Sequence, residues 1–141
     1  MKILADTCAW SLLLRRKKNA VLSGSEQAVL QSLTEAIRDG RVAVIGPIRQ
    51  EVLSGIKDLA QFKGLRSALE RFRDDQIETC DYVEAALLFN LCRSRGVECG
   101  SIDMLICAAA IRQQYAILTN DQGLLRCIAA LRAEGMTIPA P

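Results

Sequence analysis

The chain has 141 residues, half of them apolar and 24% charged, which describes one globular domain spanning residues 1–141. Its 18 basic and 16 acidic residues leave a net charge of +2, too even a balance to mark a strongly basic nucleic-acid binder, although local patches can still serve. It contains no histidine, which excludes Ser-His-Asp and Cys-His nucleophiles, a histidine general base and a His-ligated zinc.

Short β-rich runs alternate with longer helical patterns, the signature of βα units around a parallel sheet. Lys2-Ile3-Leu4-Ala5 reads as the first strand, ending at Asp6, with a helix from Ala9 to Leu14 that breaks down in Arg15-Arg16-Lys17-Lys18. Ser25 can cap a second helix, on which Ala28, Val29, Leu33, Ala36 and Ile37 recur at helical spacing, and Gly40 ends it. Arg41–Ile45 is the second strand. Gly46 then turns the chain and Pro47 opens a helix with Ile48, Val52 and Ile56 on one face and Glu51 beside it. Leu59, Phe62, Leu65, Leu69 and Phe72 stripe the next helix. Ile77–Cys80 reads as a weak third strand, followed by Asp81 and Glu84 at capping-box spacing and a helix running to Gly96. Ser101 can cap a helix from Ile102 to Gln113. Ala116–Thr119 is the fourth strand, Asp121 and Gly123 lead into a helix from Leu124 to Ala133, and Met136–Ile138 reads as a short last strand.

None of the six cysteines forms a C-x-x-C pair, so reduced core thiols are expected rather than a disulfide framework or a zinc site. Asp6 interrupts the N-terminal apolar run before a signal sequence can form, and the longest apolar run, Met104 to Ile111, is too short to span a bilayer. The expectation is a soluble cytoplasmic protein without membrane contact.

Four acids stand out by placement. Asp6 and Asp121 follow the ends of the first and fourth strands, Glu51 lies early in the helix after the second, and Asp103 sits in the first turn of an otherwise apolar helix. Ligands of open α/β sheets bind outside the carboxyl ends of the strands, where all four positions can open. Taken singly, Asp121 reads as a helix cap and Glu51 as an exposed helical residue; the joint placement carries the case. Carboxylates brought so close repel one another, and a divalent cation offsets that repulsion. Oxygen donors without histidine or paired cysteine favour Mg²⁺ or Mn²⁺, and metal-assisted phosphodiester hydrolysis is the chemistry such a site supports.

These segments resemble those of PIN-domain ribonucleases and, among them, VapC-type toxins of toxin–antitoxin pairs. Leu4-Ala5-Asp6-Thr7-Cys8-Ala9-Trp10 is similar to the family opening. Ile48 to Gly55 around Glu51, Gly96 to Ala110 around Asp103, and Leu118-Thr119-Asn120-Asp121 resemble the three later motifs. The chain departs after the last of these: Gln122-Gly123-Leu124 stands where a second acid and Phe are common. Cys8 takes a position where Ser or Val is common and reads as a packing variant, not a nucleophile.

The resemblance implies a three-layer α/β domain with a mostly parallel central sheet flanked by helices, and a Mg²⁺- or Mn²⁺-dependent endoribonuclease. Asp6 and Asp103 would be the main metal ligands, Glu51 would bind metal or orient water, and Asp121 would complete the site. Thr7 and Thr119 would supply hydroxyls behind the ligands. Arg15, Arg16, Lys17 and Lys18 are the best candidates to hold RNA phosphates, with Arg49, Lys57, Lys63 and Arg66 a second basic group. A VapB-like antitoxin, its tail in the acidic groove, and a homodimer formed through the region 48–72 are the implied partners, with Trp10, Phe62 and Phe72 as candidate surface aromatics. The competing readings are a PIN nuclease of RNA maturation, a signalling receiver, a haloacid-dehalogenase-type phosphatase and an idle binding domain. A receiver needs an acid pair after the first strand and a late Lys, and the phosphatase needs Asp where Cys8 stands.

Overall fold

The computed structural model describes residues 1–17 and 19–141. Four strands, β1 (Ile3–Ala5), β2 (Val42–Ile45), β3 (Asp74–Asp75) and β4 (Ala116–Leu118), form an all-parallel sheet in the order β3-β2-β1-β4. Ile3 and Leu4 pair with Val42 and Ala43 on one side, and Ile3 to Ala5 pair with Ala116 to Leu118 on the other. Every residue of β1 and β4 is buried, as strands covered by helices on both faces must be.

The helices are α1 (Thr7–Leu14), α2 (Gly24–Arg38), α3 (Gly46–Leu53), α4 (Leu59–Leu69), α5 (Thr79–Ser94), α6 (Ser101–Gln113) and α7 (Gln122–Ala133). One group packs α1 against α2 and α3, and the other packs α5 against α6 and α7, giving three layers with the sheet in the middle. Helix α6 is buried without interruption from Met104 to Ala110, which explains why its apolar residues run continuously rather than in a stripe. Because α6 leads into β4 and packs on it, its N-terminus lies at the carboxyl edge of the parallel strands. The fold thereby carries Asp103 to the same edge as Asp6 and Asp121.

Several boundaries differ from the expected ones. Helix α1 begins at Thr7, and Asp6 is its cap. Ser23, not Ser25, caps α2: Ser23 and Glu26 exchange the two hydrogen bonds of a capping box. Gly46 is already helical, and Gly100 rather than Ser101 caps α6.

The third strand is Asp74–Asp75, not Ile77–Cys80, and no apolar pattern announces it. Side-chain partners hold it: Arg49 donates to Asp74 at 2.9 Å, and the Tyr115 hydroxyl donates to Asp75 at 2.7 Å. Thr79 and Cys80 open α5, whose capping box is Glu78 with Asp81, three residues before the expected pair. Asp81 is buried because Arg112 donates to both its oxygens, at 2.7 and 2.8 Å. Met136–Ile138 forms no strand; Ile138 packs into the core, and its carbonyl accepts from Arg132.

Cys92 and Cys107 are free core thiols as expected, Cys8 is free but half-buried and Cys80 free but exposed, and the expectation fails for Cys99 and Cys127, which are joined in a disulfide across 28 residues. Packing α7 beside the segment before α6 brings their Cα atoms to 6.2 Å, a proximity that sequence spacing cannot reveal. Among the described residues, no helix is long and apolar enough to cross a membrane.

Candidate active site

Three helix N-termini meet at the carboxyl edge of the sheet, and each brings an acid. Asp6 ends β1 and caps α1; its Oδ1 accepts from the Thr7 amide at 2.7 Å. Its Oδ2 accepts from the Thr119 hydroxyl at 3.0 Å, and its own amide donates to the Leu118 carbonyl. Asp121 caps α7 by accepting from the amides of Gly123 and Leu124. Asp103 occupies the first turn of α6. The positive ends of these helix dipoles favour the ionised carboxylates. Glu51 arrives from α3 and accepts from the Thr7 hydroxyl at 2.6 Å.

The four acids line a single open cleft of about 650 Å³. Their charges are not offset locally, because none of them pairs with Lys or Arg among the described residues. Asp103 shows the consequence. Burial, then the fields of Asp6, Asp121 and Glu51, push its carboxyl up to about 6. Burial also raises Asp6 above the ordinary carboxylate range, against the opposing hydrogen bonds from Thr7, Thr119 and Cys8. A carboxyl whose charged form is disfavoured by burial and by neighbouring acids, as at Asp103, is poised to exchange its proton for a cation.

The donor set fits a hard divalent ion: carboxylate oxygens with net negative charge that, among the described residues, form no ion pair with Lys or Arg. Among the described residues, no three carboxylates or thiols close into a ready-made cage.

Arg15 and Arg16 line the same cleft as the acids, about two helical turns along α1 from Asp6. Lys17 is exposed but does not line it, and Lys18 lies outside the described residues. Arg49 is engaged elsewhere: it binds Asp74 and the carbonyls of Leu69 and Phe72, so it ties α3 to the end of α4 rather than waiting for phosphate. Trp10 is buried with its ring edge-on to Phe72 at 5.1 Å.

Thr7 and Thr119 stand where the sequence places them, each donating a hydroxyl to an acid. Cys8 does more than fill space. Its sulfur accepts from the Asn120 amide at 3.2 Å and lies 3.4 Å from the Thr119 hydroxyl. Burial pushes the thiol above its ordinary value, so it carries its proton at neutral pH. The one signal for this in the sequence is its place two residues after Asp6, on a helix that starts at the site.

A model of the PIN domain family matches residues 3–129. The chain belongs to the PIN domain family. PIN domains are generally nucleases and generally use divalent metal ions. Among solved structures, the crystal structure of FitAcB from Neisseria gonorrhoeae is similar to this PIN domain, with a TM-score of 0.67 and 21% identity over 90% of this chain and 93% of that one. At that identity the likeness speaks for the fold. No curated protein matches the sequence.

Proposed function

We propose that this PIN domain is a Mg²⁺- or Mn²⁺-dependent endoribonuclease that acts as the toxin of a toxin–antitoxin pair. The observation that carries the nuclease reading is the convergence of Asp6, Glu51, Asp103 and Asp121 on one cleft, their repulsion left uncompensated, with Arg15 and Arg16 in the same cleft. Acids without a protein counter-charge suit a cation, and cations a helix-length away suit the flanking phosphates of a polynucleotide.

Asp6 and Asp103 would hold the ion, with Glu51 and Asp121 at its edge, and a bound Mg²⁺ or Mn²⁺ supplies charge neutralisation and a polarised water for attack on the phosphate. Thr119 keeps the Asp6 carboxylate turned into the cleft through its 3.0 Å hydrogen bond. Thr7 does the same for Glu51, leaving that carboxylate's remaining lone pairs to accept a proton from water. Arg15 and Arg16 bind backbone phosphates. Among the described residues, no Phe, Tyr or Trp lines the cleft, so base stacking contributes little and RNA is gripped by its backbone.

The toxin role, a VapB-like antitoxin and a cytoplasmic setting rest on the VapC-like motifs at Asp6, Glu51, Asp103 and Asp121. A homodimer belongs to the same reading. Exposed apolar side chains for it lie on α5, at Tyr82, Val83 and Leu87, and within the region 48–72 at Leu59, each more than half exposed.

The deciding experiment is cleavage of structured RNA and of matched DNA by purified protein in Mg²⁺, Mn²⁺ or EDTA, with Asp6→Asn and Asp103→Asn as controls. Metal-dependent cutting of RNA that vanishes in both variants is the expected result. Cutting that survives either substitution, or that ignores EDTA, would remove these acids from the reaction. Induced expression arresting growth, with relief in the same variants, tests the toxin role.

A further inference from the structure

The four acids leave one cleft-lining group unexplained, and a count of hydrogen-bond donors and acceptors gives it a task. Thr119 is buried, and its hydroxyl has one proton and two lone pairs. Three groups surround the oxygen: Asp6 Oδ2 at 3.0 Å, the Asp121 amide at 3.0 Å and Cys8 Sγ at 3.4 Å. The amide can only donate, and an ionised Asp6 can only accept. The single hydroxyl proton therefore goes to Asp6, so in the Cys8–Thr119 contact the thiol is the donor, with Asp6 itself also within reach of the sulfur. Sulfur in turn accepts the Asn120 amide at 3.2 Å. The chain runs from the Asn120 N–H to Cys8, from Cys8 to Thr119, and from Thr119 to Asp6. It closes the turn between β4 and α7 onto the first turn of α1.

We infer that Cys8 is a positioning residue, whose thiol fixes the direction of the Thr119 hydroxyl and with it the orientation of the Asp6 carboxylate. A valine there would fill similar volume but would neither donate to Thr119 nor accept from Asn120. The hydroxyl could then rotate away from Asp6, and the 119–121 turn would lose its tie to α1. A serine would preserve both bonds in kind. Partners lying behind metal ligands commonly change metal affinity by 10–100-fold when removed; a sulfur bond one step further back belongs at the low end.

The inference rests on Asp6 serving a metal site, so the test separates the two. Amide hydrogen exchange at Asn120 and Asp121 is compared in metal-free wild type, Cys8→Val and Cys8→Ser. Exchange at Asn120 about 10-fold faster in Cys8→Val, and close to wild type in Cys8→Ser, is expected. Equal exchange in all three overturns the inference whatever the protein's activity. The Mn²⁺ concentration giving half of the maximal thermal shift, measured without RNA, should rise about 10-fold in Cys8→Val and return to within about 3-fold of wild type in Cys8→Ser. On RNA, kcat should fall in Cys8→Val while KM stays within about 2-fold, because the phosphate-binding arginines are untouched. A valine variant with unchanged metal midpoint, or a serine variant that fails to rescue it, also overturns the inference. A wild type that neither responds to metal nor cleaves RNA defeats the nuclease reading, and with it the link from Cys8 to a metal site.

Discussion

Replacing Asp103 by Asn should raise the stability of the metal-free protein while abolishing cleavage. The carboxyl is pushed from 3.8 to about 6 by burial and by Asp6, Asp121 and Glu51, a rise that amounts to about 3 kcal/mol between its two protonation states. Between those two pH values the folded protein binds more protons at this position than the unfolded chain does. The linkage relation then makes wild-type stability fall as pH rises from about 4 to about 6, with the whole penalty present above that window. Asparagine has nothing to ionise and escapes it. Asp103 is only partly buried, and solvent screening trims the gain to about 1–3 kcal/mol, or about 3–10 °C in melting temperature for a domain of this size. Thermal melts in EDTA at pH 7.5 and at pH 4 provide the assay: the variant should melt higher at pH 7.5, and the gap should close at pH 4. Added Mn²⁺ should narrow the gap from the other side by stabilising the wild type alone. An Asp103→Asn protein that melts below wild type at pH 7.5 without metal, or a gap independent of pH, would refute the claim that burial and the neighbouring acids disfavour the Asp103 carboxylate.

Other consequences are equally open to measurement. Arg112→Ala strands the buried Asp81 carboxylate, which Arg112 holds below the ordinary range, and should cost about 2–4 kcal/mol in urea unfolding at pH 7. Because Asp81 is stabilised in its charged form, the difference from wild type should shrink once the pH drops below about 4; a constant difference would point to lost packing instead. Reducing the Cys99–Cys127 bond, which closes 28 residues, should lower the melting temperature by about 10 °C on the chain-entropy estimate of about 3.6 kcal/mol; mass spectrometry showing complete reduction without a thermal change would contradict this. The double substitution Arg15→Ala and Arg16→Ala should weaken RNA binding about 10-fold and flatten its dependence on salt by about 1.4 in log–log slope, with the Mn²⁺ thermal shift intact. A salt slope equal to wild type would take these arginines out of the RNA path.

The features legible in the amino-acid sequence are those whose signals are local. An apolar run that ends in an acid shows in a few residues, which is why β1, β2 and β4 and the placements of Asp6, Glu51, Asp103 and Asp121 can be read from the chain alone. Helix caps are legible in kind and slip by one to three residues; for α2, Ser23 and Ser25 offer the same hydroxyl and only Ser23 has Glu26 three positions on. Features that join residues far apart in the chain emerge only with packing. β3 is two aspartates without a hydropathy pattern, held by Arg49 and by Tyr115, which lies 40 residues away. Asp81 reads as a cap in sequence and is also the buried partner of Arg112, 31 residues on. Cys8 reads as packing until Thr119 and Asn120, 111 and 112 residues later, come within reach of its sulfur. Local patterning records which side chains are buried, whereas a hydrogen bond between distant residues forms only after packing has set the distance, and the bonds behind the cleft's acids are of that second kind.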